Sequence, residues 1–284
     1  MTQNNRTVVA ITGASSGIGA AFARKLAPEH DLLLIARRGD KLADLAGDLH
    51  AQYGTTCDIL PADLTNDGDL ARVAERIATD PRLVLLINNA GFGARGRFWE
   101  SPLEIQENMH KLHVMATVRL SHAALRNMVG RDRGGIINVA SVSAFVRVAG
   151  TVSYAATKSW MTAFTEGLHL ELRHMRSQVI VQALCPGYTE SEFHDRMGVD
   201  RGKLGSSPLW MTAEQVVDAS LQGLQERKLF VIPGWRYRLL VTFLTKIPTR
   251  WRLAVETVAT RTRQREMGIE PPASKKQIPN GGRD

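Results

Sequence analysis

Strand-length apolar runs recur through the first 184 residues, and each is followed by a segment long enough to be a helix. The runs are Thr7–Thr12, Asp31–Ala36, Thr56–Leu60, Leu83–Asn88, Gly135–Ala140 and Gln178–Leu184. Asp31–Ala36 is continuously apolar after its first residue, as a strand buried on both faces is. Between the runs, helices are expected over Ala20–Leu26, Lys41–His50, Asp69–Ala78, about Leu103–Met128 and about Ser153–Met175. In Lys41–His50 the apolar residues Leu42, Leu45, Ala46 and Leu49 share one side. Strands alternating with helices of this length predict an α/β fold, with a parallel sheet covered by helices on both faces. Right-handed crossovers then make it doubly wound.

With 284 residues, 44% of them apolar, the chain has enough material for one sizeable core. Its two cysteines, Cys57 and Cys185, lie far apart in apolar runs and in no metal-ligand spacing, so both are expected to be buried, reduced thiols. Met1–Arg6 is polar and lacks the apolar stretch of a signal peptide. No run approaches the ~20 residues that span a bilayer, so a cytoplasmic protein is expected. The net charge of +8 is uneven: residues 235–284 hold 11 Lys+Arg against 4 Asp+Glu, leaving 25 against 24 in residues 1–234. The excess therefore sits in a C-terminal extension rather than in a catalytic domain built to grip nucleic acid.

Open sheets of this kind bind ligands beyond the carboxyl ends of their strands. After the first strand comes Thr12-Gly13-Ala14-Ser15-Ser16-Gly17-Ile18-Gly19, glycines recurring at the mouth of a helix. Such a turn lets backbone approach a pyrophosphate, whose charge the helix N-terminus favours. After the second strand stand Arg37 and Arg38, with no acid before Asp40. An acid there would accept from a ribose 2′-hydroxyl, whereas arginine suits a 2′-phosphate, so NADP(H) is favoured over NAD(H). Asp63-Leu64, after the third strand, fits an adenine contact or, alternatively, an acid at a helix start ahead of Thr65. Asn88-Asn89-Ala90-Gly91 closes the fourth strand with small residues that let a ribose come close.

Tyr154 and Lys158 are four apart near the start of an expected helix and so share a face. A phenol with a pKa of about 10 is a poor base at neutral pH, and a neighbouring ammonium lowers that value. The pair can then exchange a proton with a substrate oxygen while a hydride moves at carbon. Ser141, thirteen residues upstream at a strand end, can hold that oxygen by a hydrogen bond.

With these residues in view, the sequence resembles the short-chain dehydrogenase/reductase family. The resemblance rests on TGASSGIG at 12–19, Asp63, NNAG at 88–91, Ser141, the Tyr154/Lys158 pair and Cys185-Pro186-Gly187, in the family's order from about residue 7 to 232. It implies a single-domain Rossmann-type catalytic domain over 1–234 and hydride transfer between NADP(H) and a carbonyl or alcohol carbon. Tyr154 would be the acid/base, Lys158 would lower its pKa and bind the nicotinamide ribose, and Ser141 would polarise the carbonyl. Gly13, Ser15, Ser16, Gly17, Ile18 and Gly19 would surround the diphosphate, and Arg37 would take the 2′-phosphate. Pro186, Gly187, Thr189 and Ser191 would lie on the nicotinamide side. A homodimer or homotetramer built on the long helices is implied as well. The chain departs from the family at His113, which stands where an asparagine usually supports a water leading to the lysine. Two roles stay open for it: a member of a proton path, or a packing residue.

Gly187–Leu209 breaks the alternation, and Gly187–Met211 carries Tyr188, Phe193, Met197, Leu209, Trp210 and Met211, which either cover a hydrophobic substrate such as a steroid or a lipid-like ketone or pack the flap shut. Residues 235–270 read as two basic amphipathic helices, Trp235–Ile247 and Trp251–Arg265, divided by Pro248. Such helices suit peripheral membrane contact, an apolar face of their own domain, or a partner subunit. Nucleic acid is not an expected partner, because no aromatic-and-basic groove motif accompanies the charge. Residues 271–284, rich in Pro and Gly, are expected to be disordered. A contrasting reading is a catalytically silent NADP(H)-binding regulator, which would be expected to lose Tyr154 or Lys158.

Overall fold

The structure is a computed structural model that describes residues 6–94, 96–190 and 209–266. The chain opens with β1 (Val8–Thr12), α1 (Gly17–Leu26), β2 (Asp31–Ala36), α2 (Gly39–Tyr53), β3 (Cys57–Pro61), α3 (Asp67–Thr79) and β4 (Leu83–Asn88). It continues through α4 (Leu103–His110), a π-helical segment (Lys111–Ala116), α5 (Thr117–Gly130) and β5 (Gly135–Val139). After a 3-10 turn (Val142–Ala144) come α6 (Val152–His174), β6 (Ile180–Leu184), α7 (Ala213–Gln225), β7 (Phe230–Val231), α8 (Trp235–Lys246) and α9 (Thr249–Glu266).

The seven strands form one parallel sheet in the order β3-β2-β1-β4-β5-β6-β7, a Rossmann-type arrangement. Central β1, β2 and β5 are buried along their whole length, whereas edge strand β3 alternates between exposed and half-buried residues. One face of the sheet packs Phe22 of α1, Leu42 and Leu49 of α2, and Val216 and Val217 of α7. The other packs Leu70, Val73 and Ile77 of α3, Leu120 and Met128 of α5, and Leu172 of α6. From β1 the chain winds outward to β3, then returns to place β4 on the opposite side of β1. The connections leaving β1 and β4 therefore diverge, and that switch point is where such sheets form a crevice.

Several expectations need correction. Helix α1 begins at Gly17 instead of Ala20, so the glycine turn supplies its first residues. The expected helix over about 103–128 is divided by the π-helical turn that carries His113. Helix α7 was not read from the sequence, although Thr212 and Gln215 form a full capping box at its start. Two-residue β7 is too short to leave a pattern. Cys185 is buried, but Cys57 is only half-buried; burial pushes the thiols up to about 12 and about 11, so both keep their protons.

Helices α8 and α9 coincide with the two basic segments. Their opposite faces differ: Tyr237, Val241 and Leu244 of α8 are buried against the domain, while Trp235, Leu239 and Phe243 remain exposed. The latter stripe therefore does not cover its own domain. Helix α9 is tied down where Glu256 accepts from the Arg147 N–H and Thr260 accepts from the Ala149 N–H. Among the described residues no helix is long and apolar enough to cross a membrane. The expected disordered tail, 271–284, lies outside the described residues.

Candidate active site

At the switch point the loops after β1 and β4 are sewn together. The Thr12 hydroxyl accepts from the N–H groups of Asn89 (2.9 Å) and Ala90 (3.0 Å) and donates to Ile87 O. The Asn89 side-chain amide in turn donates to the carbonyls of Thr12 (2.9 Å) and Gly13 (3.2 Å). Asn89 thus acts chiefly on the turn that it faces. Gly13 has φ +68°, and a Cβ there would lie 2.8 Å from the Asn89 amide nitrogen and 2.9 Å from Ala90 Cα, so only glycine fits. A Cβ on Gly19 would meet Gly13 O at 2.3 Å, which lets α1 close against the turn.

A cavity of about 650 Å³ runs from this seam to the segment after β6 and to α8. At one end it is lined by Gly13, Ser15, Ser16, Gly17, Ile18, Arg37, Arg38, Asp63 and Leu64. Asn89, Ala90 and Gly91 lie along its floor. The chemistry-bearing residues Ser141, Tyr154 and Lys158 line the same cavity, as do Pro186, Gly187 and Thr189. Gly19 and His113 are not part of its lining. Ser191 lies outside the described residues, as do Phe193 and Met197.

The two arginines after β2 do different things. Arg38 donates to the hydroxyls of Ser15 (3.0 Å) and Ser16 (2.9 Å), which places its guanidinium on the glycine turn. Arg37, largely exposed, points instead toward the half-buried Asp63 carboxylate, 4.0 Å away. Asp63 also accepts from the N–H and the hydroxyl of Thr65, at 2.9 and 2.7 Å. It thereby orders the loop after β3 while its side chain lines the cavity.

Ser141 is buried at the end of β5, and its oxygen accepts from the Ser143 N–H at 3.1 Å. With a lone pair engaged there, its proton is the part suited to a substrate oxygen. Tyr154 and Lys158 occupy the first two turns of α6, as their spacing requires. Lys158 Nζ donates to Val139 O at 2.7 Å and lies 5.9 Å from the centre of the Tyr154 ring. Burial pulls the Lys158 pKa down to about 7, because the apolar surroundings disfavour the ammonium. A phenolate at Tyr154 would favour that ammonium, and the ammonium the phenolate.

His113 is buried and fully engaged. The Phe92 N–H donates to Nε2 at 3.2 Å, so Nε2 is the unprotonated nitrogen. Nδ1–H therefore donates to the Thr157 hydroxyl (2.9 Å), which donates to Tyr154 O (3.0 Å). Burial first, then the charges of Lys158 and His110, hold the ring well below its ordinary pKa. A neutral ring with both nitrogens occupied is equipped to fix α6 against the loop after β4.

Other lining residues were not singled out by sequence reasoning. Val146 and Val148 face the cavity from the segment between Ser141 and Tyr154. Their signal was their position between two candidate catalytic residues. Tyr237 also lines the cavity, from α8, and its signal was weak: a tyrosine off the exposed apolar stripe, three residues after Gly234.

Residues 7–201 match the family described as short chain dehydrogenase. A short-chain dehydrogenase from Sphingobium yanoikuyae in complex with NADPH is 35% identical, with TM-score 0.76 over 95% of this chain and 99% of that one. A bulky-bulky ketone specific alcohol dehydrogenase from Comamonas testosteroni is 30% identical, with TM-score 0.73 over 98% and 100%. The human dehydrogenase/reductase SDR family member 7 is 28% identical over 257 residues, 86% of this chain and 75% of its own length.

Proposed function

This chain belongs to the short chain dehydrogenase family, and we propose that it moves a hydride between NADP(H) and the carbonyl or alcohol carbon of a bulky, apolar ketone. One observation carries the reading: Ser141, Tyr154 and Lys158 line the same cavity as the glycine turn of residues 13–18. The turn fits a dinucleotide, because Gly13 lets it close against Asn89 and Ala90 beside the cavity and α1 presents its N-terminus there. When bound, the nicotinamide supplies or takes up the hydride. In the reducing direction Ser141 holds the ketone oxygen through its hydroxyl proton, and Tyr154 gives that oxygen its phenolic proton. Lys158 stabilises the phenolate left behind, and in the oxidising direction the same groups act in reverse. Arg38, seated on Ser15 and Ser16, supports the phosphate-bearing cofactor, since a guanidinium grips phosphate oxygens by charge-assisted bonds. A bulky substrate is supported by the apolar wall of Val146, Val148 and Leu240, and by the ketone specificity of the Comamonas relative.

The test is a titration with NADPH and NADH followed by nicotinamide fluorescence, together with turnover on a ketone panel. Tight NADPH binding, weaker NADH binding and reduction of bulky ketones are expected. Tyr154→Phe should cut turnover about 100- to 10,000-fold and leave NADPH binding in place. Binding without turnover would favour the silent regulator, and no binding of either nucleotide would refute the enzyme.

A further inference from the structure

Helix α8 lies beyond the matched residues 7–201, yet two of its residues, Tyr237 and Leu240, line the cavity. The Tyr237 hydroxyl accepts from the Tyr188 N–H at 2.9 Å and donates to Leu209 O at 2.8 Å. A single phenol thereby ties the chain leaving β6 to the chain that enters α7. The two stretches also meet in backbone bonds from Glu190 N to Met211 O (2.9 Å) and from Met211 N to Tyr188 O (3.0 Å). The ring itself lies flat against Gly187: a Cβ built there would be 2.0–2.5 Å from three of its carbons. Gly234, at φ +81°, makes the turn that starts α8 in this position. Burial raises the Tyr237 phenol to about 12, so it keeps the proton that it donates to Leu209 and is not a second acid/base. One turn further on, Leu240 stands at the cavity wall and is 42% exposed, as a residue at a mouth would be.

We infer that Tyr237 is a positioning residue that fixes the substrate-side wall against Gly187, and that Leu240 beside it determines how large a ketone the cavity accepts. The inference rests on the ketone-reductase reading above and adds a specificity role for a helix that the family match does not cover. Tyr237 acts through backbone that it holds, whereas Leu240 acts through the volume it occupies.

The experiment measures kcat and KM with NADPH for a ketone bearing two large substituents and for a small cyclic ketone, in wild type, Leu240→Trp and Tyr237→Phe. NADPH affinity is read separately by fluorescence. Leu240→Trp should lower kcat/KM for the bulky ketone about tenfold or more and change the small one less than about twofold, with NADPH affinity unchanged. Tyr237→Phe keeps the ring on Gly187 but removes both hydrogen bonds. It should raise KM for both ketones about three- to tenfold while kcat changes less. An unchanged bulky-to-small ratio in Leu240→Trp overturns the specificity role. Wild-type constants in Tyr237→Phe overturn the positioning role, and failure of that variant to fold leaves the Leu240 ratio to decide. Wild type that binds NADPH but reduces neither ketone overturns the reading beneath the inference, and the inference with it.

Discussion

The two ends of the cavity are built in different ways. At the nucleotide end the wall is backbone and small side chains, held by short loops directly after β1, β2 and β4. Gly13, Ser15, Ser16 and Gly17 leave space, and Thr12 with Asn89 fixes its shape. At the substrate end the wall is made of large side chains drawn from distant segments, with Tyr237 meeting Gly187 across 50 positions of sequence. The first end is made by short contiguous stretches, so its signature is compact. The second is assembled only by tertiary contact.

This contrast can be broken by experiment. The largest effect is expected from Lys158→Met, which should reduce turnover by about 100-fold or more yet raise thermal stability. The sign follows from linkage: folded Lys158 titrates at about 7, an unfolded lysine near ~10.4. Between those values the unfolded chain binds more protons, so wild-type stability climbs as pH rises. Below about 7 the full cost of burying the ammonium is present. The gain in Tm should therefore be greatest below that pH and shrink toward ~10, as calorimetry across pH would reveal. A variant less stable than wild type at low pH would mean that Lys158 is paid for by partners at the site.

Gly13→Ala should come next, because it must place a Cβ on Ala90 Cα and hold αL backbone at a cost of about 1–2 kcal/mol. Nucleotide affinity should fall about tenfold or more, while the bulky-to-small ketone ratio at saturating NADPH stays put. A changed ratio would show that the two ends are not independent. Arg38→Ala should weaken NADPH about tenfold with little effect on NADH, and Arg37→Ala should do less, since Arg37 is exposed and faces Asp63. Equal effects would remove the distinction between the two side chains. His113→Asn should have the smallest effect: a lower Tm and a kcat reduced less than about tenfold, with the pH profile unmoved. A displaced profile would place His113 in proton transfer rather than in holding α6.

The fold was largely legible because burial on both faces writes β1, β2 and β5 as apolar runs broken only by Thr12, Asp31 and Asn138, and the helices between them as amphipathic ones. The motif residues were legible for a related reason. Tyr154 and Lys158 meet through helix periodicity, and the glycines of residues 13–19 through a local turn, so neither needs knowledge of a distant partner. His113 could be located but not interpreted, because its meaning lies in Phe92 and Thr157, which approach from other elements. The π-helical turn that carries it interrupts an otherwise α-helical stretch over only six residues, too few to set a periodicity of their own. Arg37 and Arg38 are adjacent and chemically identical, and only the direction in which each leaves the end of β2 separates them. Tyr237 was hidden most completely, since its role depends on a glycine whose own sequence signature reads as a cofactor contact.

The seam between Thr12 and Asn89 has a consequence for how a nucleotide arrives. Four hydrogen bonds from two side chains tie the mouths of β1 and β4 to each other, all of them made within the protein. A shape held in this way should need little ordering when a nucleotide binds. The backbone amides of Asn89 and Ala90, both donating to one hydroxyl, should exchange with deuterium slowly in the nucleotide-free protein and hardly more slowly once NADPH is added.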